Sequence, residues 1–203
     1  MTEQTTYKEN KTNFIIHGDI SNVIMKISIP LMISNLIMTF YGIVDGIYVA
    51  QLSAEDYAAT AFIWPLQYLF IALGIGISIA ATSLMSQKLG AGKRNEAKVY
   101  ANHSMVISIA MGLVFSFLLY ALAPTALSWM GAKDTFLEKS IIFLQINAFG
   151  LLFDLIFFSY QAILNSQGMT KSITTISAIS SLANVILDPF FIFDSVLGIP
   201  ALG

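Results

Sequence analysis

The chain has 203 residues, of which 56% are hydrophobic and 11% are charged, and its formal net charge is −2. Because a soluble domain carries about 25% charged residues, this composition predicts an integral membrane protein. The sequence contains no cysteine, which excludes disulfides, thiolate metal sites and cysteine nucleophiles. The two histidines, His17 and His103, lack metal-ligand spacing, so no metal site is predicted.

Residues 1–20 are polar and form a predicted cytoplasmic tail. No apolar core with a small-residue cleavage site follows a basic start, so the segment does not read as a signal peptide. Asp19 or Ser21 is the expected N-cap of the first helix, since short polar side chains accept hydrogen bonds from the first backbone N–H groups.

Five apolar stretches follow, and each is long enough to cross about 30 Å of hydrocarbon. They predict an all-α integral membrane bundle of about five transmembrane helices within residues 21–203. The first stretch contains Pro30, which removes one helical hydrogen bond and is expected to bend the helix. The predicted spans cover about residues 23–50, 59–84, 99–122, 141–164 and 173–193.

The basic residues predict the orientation of these spans. Eight of the ten lysines and arginines fall in the amino-terminal tail, at the start of the first span, or in the second-to-third and fourth-to-fifth connections. Only Lys133 and Lys139 fall on the other side, where Asp134 and Glu138 balance them. The positive-inside rule therefore predicts a multi-pass protein of the cell (inner) membrane with a cytoplasmic N-terminus.

Three carboxylates, those of Asp45, Asp154 and Asp188, lie inside the apolar stretches. A charged aspartate at the centre of a span costs about 2.5–3.5 kcal/mol on insertion scales, so such residues usually mark an ion path or a substrate counter-charge. Simpler readings stay open for each acid. Asp45 could be solvated near a helix end, with Gly42 and Gly46 serving helix packing, and Asp154 could face a partner helix in its protonated form.

Asn184 and Asp188 are four residues apart and therefore share one face of the fifth helix. Pro189 follows, and its ring disfavours helical geometry at Asp188. We expect a helix broken at this carboxylate, which would expose free carbonyls beside an acid and suit a cation or proton. The alternative is a solvated helix terminus.

Glycines occur in two further segments. GIGIS, residues 74–78, suits helix contacts in membranes. LGAGKRNEAK, residues 89–98, lacks the spacing of a phosphate loop and is predicted to be a short basic cytoplasmic turn. With no nucleophile–base pairing, metal cluster or cofactor motif, we predict neither an enzyme nor a cofactor, and no nucleic-acid partner.

The order of several segments resembles the multidrug and toxic compound extrusion (MATE) transporters. These segments are IPLMISNLIMTFYGIVDGIYVAQL, ISIAATSLMSQKLGAGKRNEA, QAILNSQGMTK and ANVILDPFFIF. The resemblance covers about residues 19–203 and matches the amino-terminal lobe of a MATE transporter, without its sixth helix. We therefore expect this chain to be part of a longer protein.

The resemblance implies an antiporter that exports small organic cations in exchange for protons or sodium. It implies coupling roles for Asp45, Asn184 and Asp188, and a helix-bending role for Pro30. Asp154 departs from the family pattern and is only a possible additional site residue. The missing second lobe would be the natural packing partner, with the lipid bilayer around both.

Two alternatives to an antiporter stay open. One is a flippase of lipid-linked sugars from the same superfamily, which would favour basic residues inside the bundle; none of the ten lies deep in a span. The other is a truncated membrane remnant without transport activity. Two groups of side chains could line an adaptable apolar cavity, because methionine and aromatic side chains suit varied ligands; the more usual role of such residues is to face lipid or to pack between helices. They are Met32, Met38, Phe40 and Tyr41 of the first span and Phe62, Trp64 and Tyr68 of the second.

Overall fold

The computed structural model describes residues 18–192, which form five α-helices joined by short turns. All five are long and apolar enough to cross a membrane, which confirms the predicted all-α membrane class. They are α1 (Ile20–Leu52), α2 (Ala54–Gly90), α3 (Arg94–Trp129), α4 (Asp134–Ser166) and α5 (Thr170–Ile192). Most of the predicted tail, residues 1–17, lies outside the described residues, as does the chain beyond residue 192.

The helices begin earlier than the apolar stretches do, and α1 to α4 also end later. Hydropathy marks only the part of a helix that lies in hydrocarbon, whereas polar turns beyond it still form backbone hydrogen bonds. Asp19 caps α1, and its side chain accepts a hydrogen bond from the backbone N–H of Asn22 at 3.2 Å. This confirms the first of the two expected caps.

Helices α2, α3 and α4 pack against one another around the main apolar core, and we call them the three-helix unit. Ile63 of α2, Leu119 of α3 and Leu151 of α4 are fully enclosed there. Small polar side chains join the same helices: Ser104 and Ser159 share a buried hydrogen bond of 2.9 Å. Dispersion contacts and interhelical hydrogen bonds of this kind hold membrane helices together, because the hydrophobic effect does not drive helices together within the apolar lipid.

Two glycines let the backbones of this unit approach closely. A Cβ on Gly112 would stand 2.7 Å from Leu152 Cδ1 and 3.2 Å from its Cα, and one on Gly74 would stand 2.9 Å from Leu155 Cδ1. The packing role expected for the glycines of GIGIS is therefore confirmed at Gly74 and wrong at Gly76, where nothing lies within 4 Å of such a Cβ. For Gly42 it is wrong, because nothing lies within 4 Å of a Cβ placed there, while Gly46 would make an ordinary contact with Tyr57.

Helices α1 and α5 form a second region, the α1–α5 pair, which touches α2 and α4 only lightly. Ser34 is the one described residue of α1 that is buried. On α5 the buried residues repeat every three or four positions, so one face meets α1; they are Thr170, Ile173, Ser177 and Ser181. Small side chains at such positions allow close approach of two membrane helices.

The turns divide the bundle into two ends. The α2–α3 connection is a basic turn, as predicted, and Gly92 adopts a φ of 75° there that glycine accommodates without strain. Lys88 and Lys93 both pair with Glu96 across this turn, at 2.7 Å and 3.0 Å. At the opposite end Lys139 of α4 bridges Glu55 and Asp56 of α2, at 3.3 Å and 2.8 Å.

Candidate functional site

The α1–α5 pair is joined near one end by a hydrogen bond. Thr174 Oγ1 donates to the backbone carbonyl of Pro30 at 2.6 Å. Pro30 lies inside α1, which continues through it as a helix. The bond brings the two helices together in parallel, because both leave the same end of the bundle.

Asp45 and Asp188 lie at the same depth along this pair. At 1.5 Å per residue, Asp45 is about 22 Å beyond Pro30 on α1 and Asp188 is about 21 Å beyond Thr174 on α5. Both side chains are partly buried. Because α1 and α5 pack along each other, this shared depth puts the two predicted site residues in one region of the pair.

Asn184 lies one turn before Asp188 on α5. The Oδ1 atom of Asn184 and the Oδ2 atom of Asp188 are buried and have no hydrogen-bond partner within residues 18–192. Buried oxygens of this kind normally find a donor or a cation, so two on one helix face mark a place for a positive group. The expected helix break is wrong: α5 continues through Pro189 to Ile192. Membrane helices tolerate proline where neighbours satisfy the freed backbone.

Asp154 enters the same region from α4, where it is partly buried. Tyr41 of α1 lies four residues before Asp45, so its phenol and that carboxylate share one face of the helix. Among residues 18–192 no group of three acids or histidines comes close enough to hold a metal ion. Counted from the α4–α5 turn at 1.5 Å per residue, Asp154 lies about 18 Å along α4 and Asp188 about 27 Å along α5, so the two acids differ in depth by about 9 Å.

Asp154 belongs to a line of polar residues on one face of α4, which we call the α4 stripe: Asn147, Asp154, Gln161 and Asn165. Spacings of seven and four residues keep these side chains on one face of a helix. Gln67 of α2 donates to Asn147 Oδ1 at 3.4 Å. Asn165 Oδ1, at the other end of the stripe, is buried without a partner in the described chain.

The α4 stripe lines two cavities. One has a volume of about 370 Å³ in the groove between α2 and α4, where Gln161 and Asn165 meet Ser78, Thr82 and the apolar side chains of Ile75 and Ile79. The other, of about 240 Å³, lies between α4 and α5 and is also lined by Gln161. The groove thus combines an apolar wall with neutral hydrogen-bonding groups, which is typical of sites for small organic molecules.

The methionines and aromatics expected to line a cavity are arranged differently. Phe62 packs into the core, edge-on to Phe136 at 5.3 Å between ring centroids. Trp64 and Tyr68 stack on each other at 6.2 Å on an exposed face of α2. Met32, Met38 and Phe40 are also exposed. Of this set, Tyr41 is the partly buried side chain on the face of α1 that carries Asp45.

Sequence reasoning missed Gln161 and Asn165. Both stand in the segment QAILNSQGMTK, but the resemblance of that segment to the family assigned them no role. Their spacing was the available signal: Gln161 is seven residues after Asp154 and Asn165 is four residues after Gln161, which places all three on one helix face.

The sequence model of the MatE family matches residues 30–190 of the chain. Similar curated proteins include the FAD transporter of Shewanella oneidensis, 24% identical over 180 residues, and the multidrug resistance protein NorM of Vibrio vulnificus, 28% identical over 186 residues. They cover 88% and 90% of this chain. The multidrug export protein MepA of Staphylococcus aureus is 24% identical over 189 residues, or 92% of the chain.

Solved structures resemble the described helices closely. A MOP superfamily transporter from Pyrococcus furiosus superposes with a TM-score of 0.85 at 27% identity and covers 93% of this chain. An outward-facing multidrug resistance transporter of the MATE family gives the same values. The chain spans only 40% of the FAD transporter and of NorM, and 42% of each structure.

Proposed function

Because this chain belongs to the MATE family of transporters, we propose that it supplies one lobe of a cation-coupled antiporter that exports small organic cations. Asp45 and Asp188, with the amide oxygen of Asn184, would hold the coupling ion, a proton or sodium. The buried, unpartnered oxygens of Asn184 and Asp188 beside Asp45 carry this proposal. A second lobe, in the same polypeptide or supplied by another chain, would complete the transport path.

The chemistry follows from charge in a nonpolar surrounding. Two carboxylates near each other favour a bound positive charge, because burial and mutual repulsion both disfavour the doubly ionised, empty site. A proton or a sodium ion can supply that charge, since both bind to oxygen. An organic cation that reaches the same carboxylates replaces the ion, and this competition couples the two movements.

The described basic residues support an anionic site. Lys26, Lys139 and Lys171 lie within the first two turns of their helices, Lys133 immediately precedes α4, and Lys88, Lys93, Arg94 and Lys98 surround the α2–α3 turn. No described lysine or arginine therefore lies at the depth of the acids. The neutralising charge must come from an ion or a ligand, which favours cation export over a flippase of anionic lipid-linked sugars.

Competition between ion and ligand gives a direct test. The 203-residue chain is reconstituted in lipid nanodiscs and titrated with tetraphenylphosphonium in weak buffer while a pH dye reports released protons. Proton release is expected if protons occupy the site, and displacement of radioactive sodium is expected if sodium does. Asp45→Asn should abolish either signal, because an amide keeps the size of the side chain but removes its charge.

Glu138→Gln is the matched control, because Glu138 is an exposed acid near the start of α4. It should leave the signal unchanged. Ligand binding with neither proton release nor sodium displacement in the unaltered chain would contradict the proposal, and so would an unchanged signal in Asp45→Asn.

A further inference from the structure

We propose that the cavity of about 370 Å³ between α2 and α4 binds uncharged aromatic molecules that carry a primary carboxamide or a urea group. The side chains that line this cavity are all uncharged. The site stands apart from the Asp45–Asp188 pair and does not depend on the ion proposed there. It concerns a second class of ligand, distinct from the exported cation.

The polar part of the cavity and the Asp45–Asp188 pair lie at different depths. At 1.5 Å per residue, Gln161 lies about 8 Å from the end of α4, and Asp188 lies about 27 Å from the start of α5. A short turn joins these two helix ends, so the two levels are about 19 Å apart along the bundle. A buried charge is costly without a partner. Since the lining offers no charged side chain, the cavity favours an uncharged ligand.

The hydroxyl groups of the cavity mostly present acceptors. Ser78 Oγ donates its proton to the backbone carbonyl of Phe158 at 2.9 Å, and Thr82 Oγ1 donates to that of Ser78 at 2.8 Å. A hydroxyl has one proton and two lone pairs, so both oxygens can still accept a hydrogen bond. Ser83 Oγ accepts from Gln87 Nε2 at 3.3 Å and keeps its own proton for donation. The hydroxyls therefore call mainly for donors on the ligand.

Two side-chain amides, those of Gln161 and Asn165, complete the polar lining. Asn165 Oδ1 is buried and has no hydrogen-bond partner among residues 18–192, whereas buried oxygens of this kind normally have a donor. The terminal torsion of an asparagine is soft, so its amide can turn toward a molecule in the cavity. A side-chain amide offers an acceptor oxygen and an NH₂ donor. A primary carboxamide or a urea presents the same two groups and is therefore complementary to it.

The remaining side chains suit an aromatic body. Ile75 and Ile79 form an apolar wall, and the ring of Phe158 lies against the same space. Aromatic rings pair favourably with one another in offset or edge-to-face arrangements. The volume of about 370 Å³ also falls within the range of about 300–1,000 Å³ that is typical of small-molecule pockets. The cavity thus has room for a two-ring aromatic amide.

A matched pair of ligands tests this inference. Naphthamide and N,N-dimethylnaphthamide share the rings, the carbonyl group and the absence of charge, but only naphthamide has N–H donors. Binding to the 203-residue chain in lipid nanodiscs is measured by equilibrium dialysis, and uptake by empty nanodiscs is subtracted. Naphthamide should bind about tenfold more tightly, because the dimethyl compound loses the hydrogen bonds to the acceptors of the cavity.

Substitutions then assign this preference to the cavity. Asn165→Ala should lower naphthamide binding to the level of the dimethyl compound and leave binding of the latter within about twofold. Thr82→Val keeps the shape of the side chain but removes an acceptor, so it should reduce the preference about threefold. Asn147→Ala is the matched control, because Asn147 is an amide of the α4 stripe that lies outside the cavity. This variant should keep the full preference, and so should Asp45→Asn.

The outcomes that overturn this inference differ from those that overturn the proposed function. Equal binding of the two amides to the unaltered chain, or a preference that survives in Asn165→Ala, removes the carboxamide site and leaves the ion site standing. A preference that is lost in Asp45→Asn assigns the amide to the ion site and also overturns the inference. The ion site itself is judged by the proton or sodium signal, which naphthamide should leave unchanged.

Discussion

The three-helix unit and the α1–α5 pair bury different kinds of side chain between their helices. The unit encloses large apolar side chains such as Ile63 and Leu151 and brings backbones together at Gly112. The pair buries mainly small hydroxyl residues, and α1 contributes only Ser34 among its described residues. The densely packed unit carries neither Asp45 nor Asp188, and the lightly packed pair carries both. The predicted coupling residues therefore lie where large apolar side chains are least enclosed.

The largest expected difference between the regions concerns truncation of a leucine. Leu151→Ala, at a fully buried site in the unit, should lower the free energy of unfolding in detergent by about 2–5 kcal/mol, because the lost contacts leave a cavity. Leu36→Ala, at a residue of α1 that is 56% exposed, should change it by less than about 0.5 kcal/mol. Chemical denaturation followed by circular dichroism measures both, and equal losses would remove the distinction.

Added volume should give the next largest effect. Gly112→Val would force a side chain into the backbone of Leu152 and should destabilise the chain by about 1–3 kcal/mol. Gly42→Val on α1 meets open space and should leave the free energy of unfolding almost unchanged in the same chemical denaturation experiment. A strong loss of stability at Gly42 would show that the open face of α1 is covered by another part of the protein.

The smallest effect should come from single interhelical hydrogen bonds. Ser104→Ala removes the bond to Ser159 within the unit, and Thr174→Val removes the bond to Pro30 within the pair. Each should cost about 0.6 kcal/mol, the average for such bonds in membranes. Proteolysis at a protease site introduced near Gly18 should rise in Thr174→Val alone, because that bond joins α1 to α5 whereas the Ser104–Ser159 bond joins α3 to α4. Equal proteolysis in both variants would mean that the two regions open together.

Hydropathy predicted the number and class of the helices because a bilayer of fixed thickness dictates how long an apolar helix must be. The ends of the helices could not be predicted from hydropathy, since residues such as Arg94 and Lys98 are polar yet helical. The sequence also could not show which glycines lie in close helix contacts. Gly42 and Gly112 stand in equally apolar stretches, and only the face that each presents to a neighbour separates open space from backbone contact.

The acids of the site could be identified one at a time, because a carboxylate in an apolar stretch is conspicuous. Their arrangement could not, since it depends on the pairing of α1 with α5, for which the sequence carries no local signal. Pro189 illustrates the limit of local rules. Its ring disfavours a helix at Asp188, yet α5 continues past it. Lys139 shows the same limit: its pairing with Glu55 and Asp56 joins residues far apart in sequence.

The difference in depth between Asp154 and the Asp45–Asp188 pair has an electrical consequence. About 9 Å, reckoned at 1.5 Å per residue, is roughly a third of the hydrocarbon thickness of a bilayer. One elementary charge that crosses the whole membrane at 100 mV gains or loses about 2.3 kcal/mol. A cation that moves from one of these depths to the other would therefore sense about a third of that, roughly 0.8 kcal/mol at 100 mV. Membrane voltage should then shift the ratio of cation occupancy between the two depths, even without any movement of the helices.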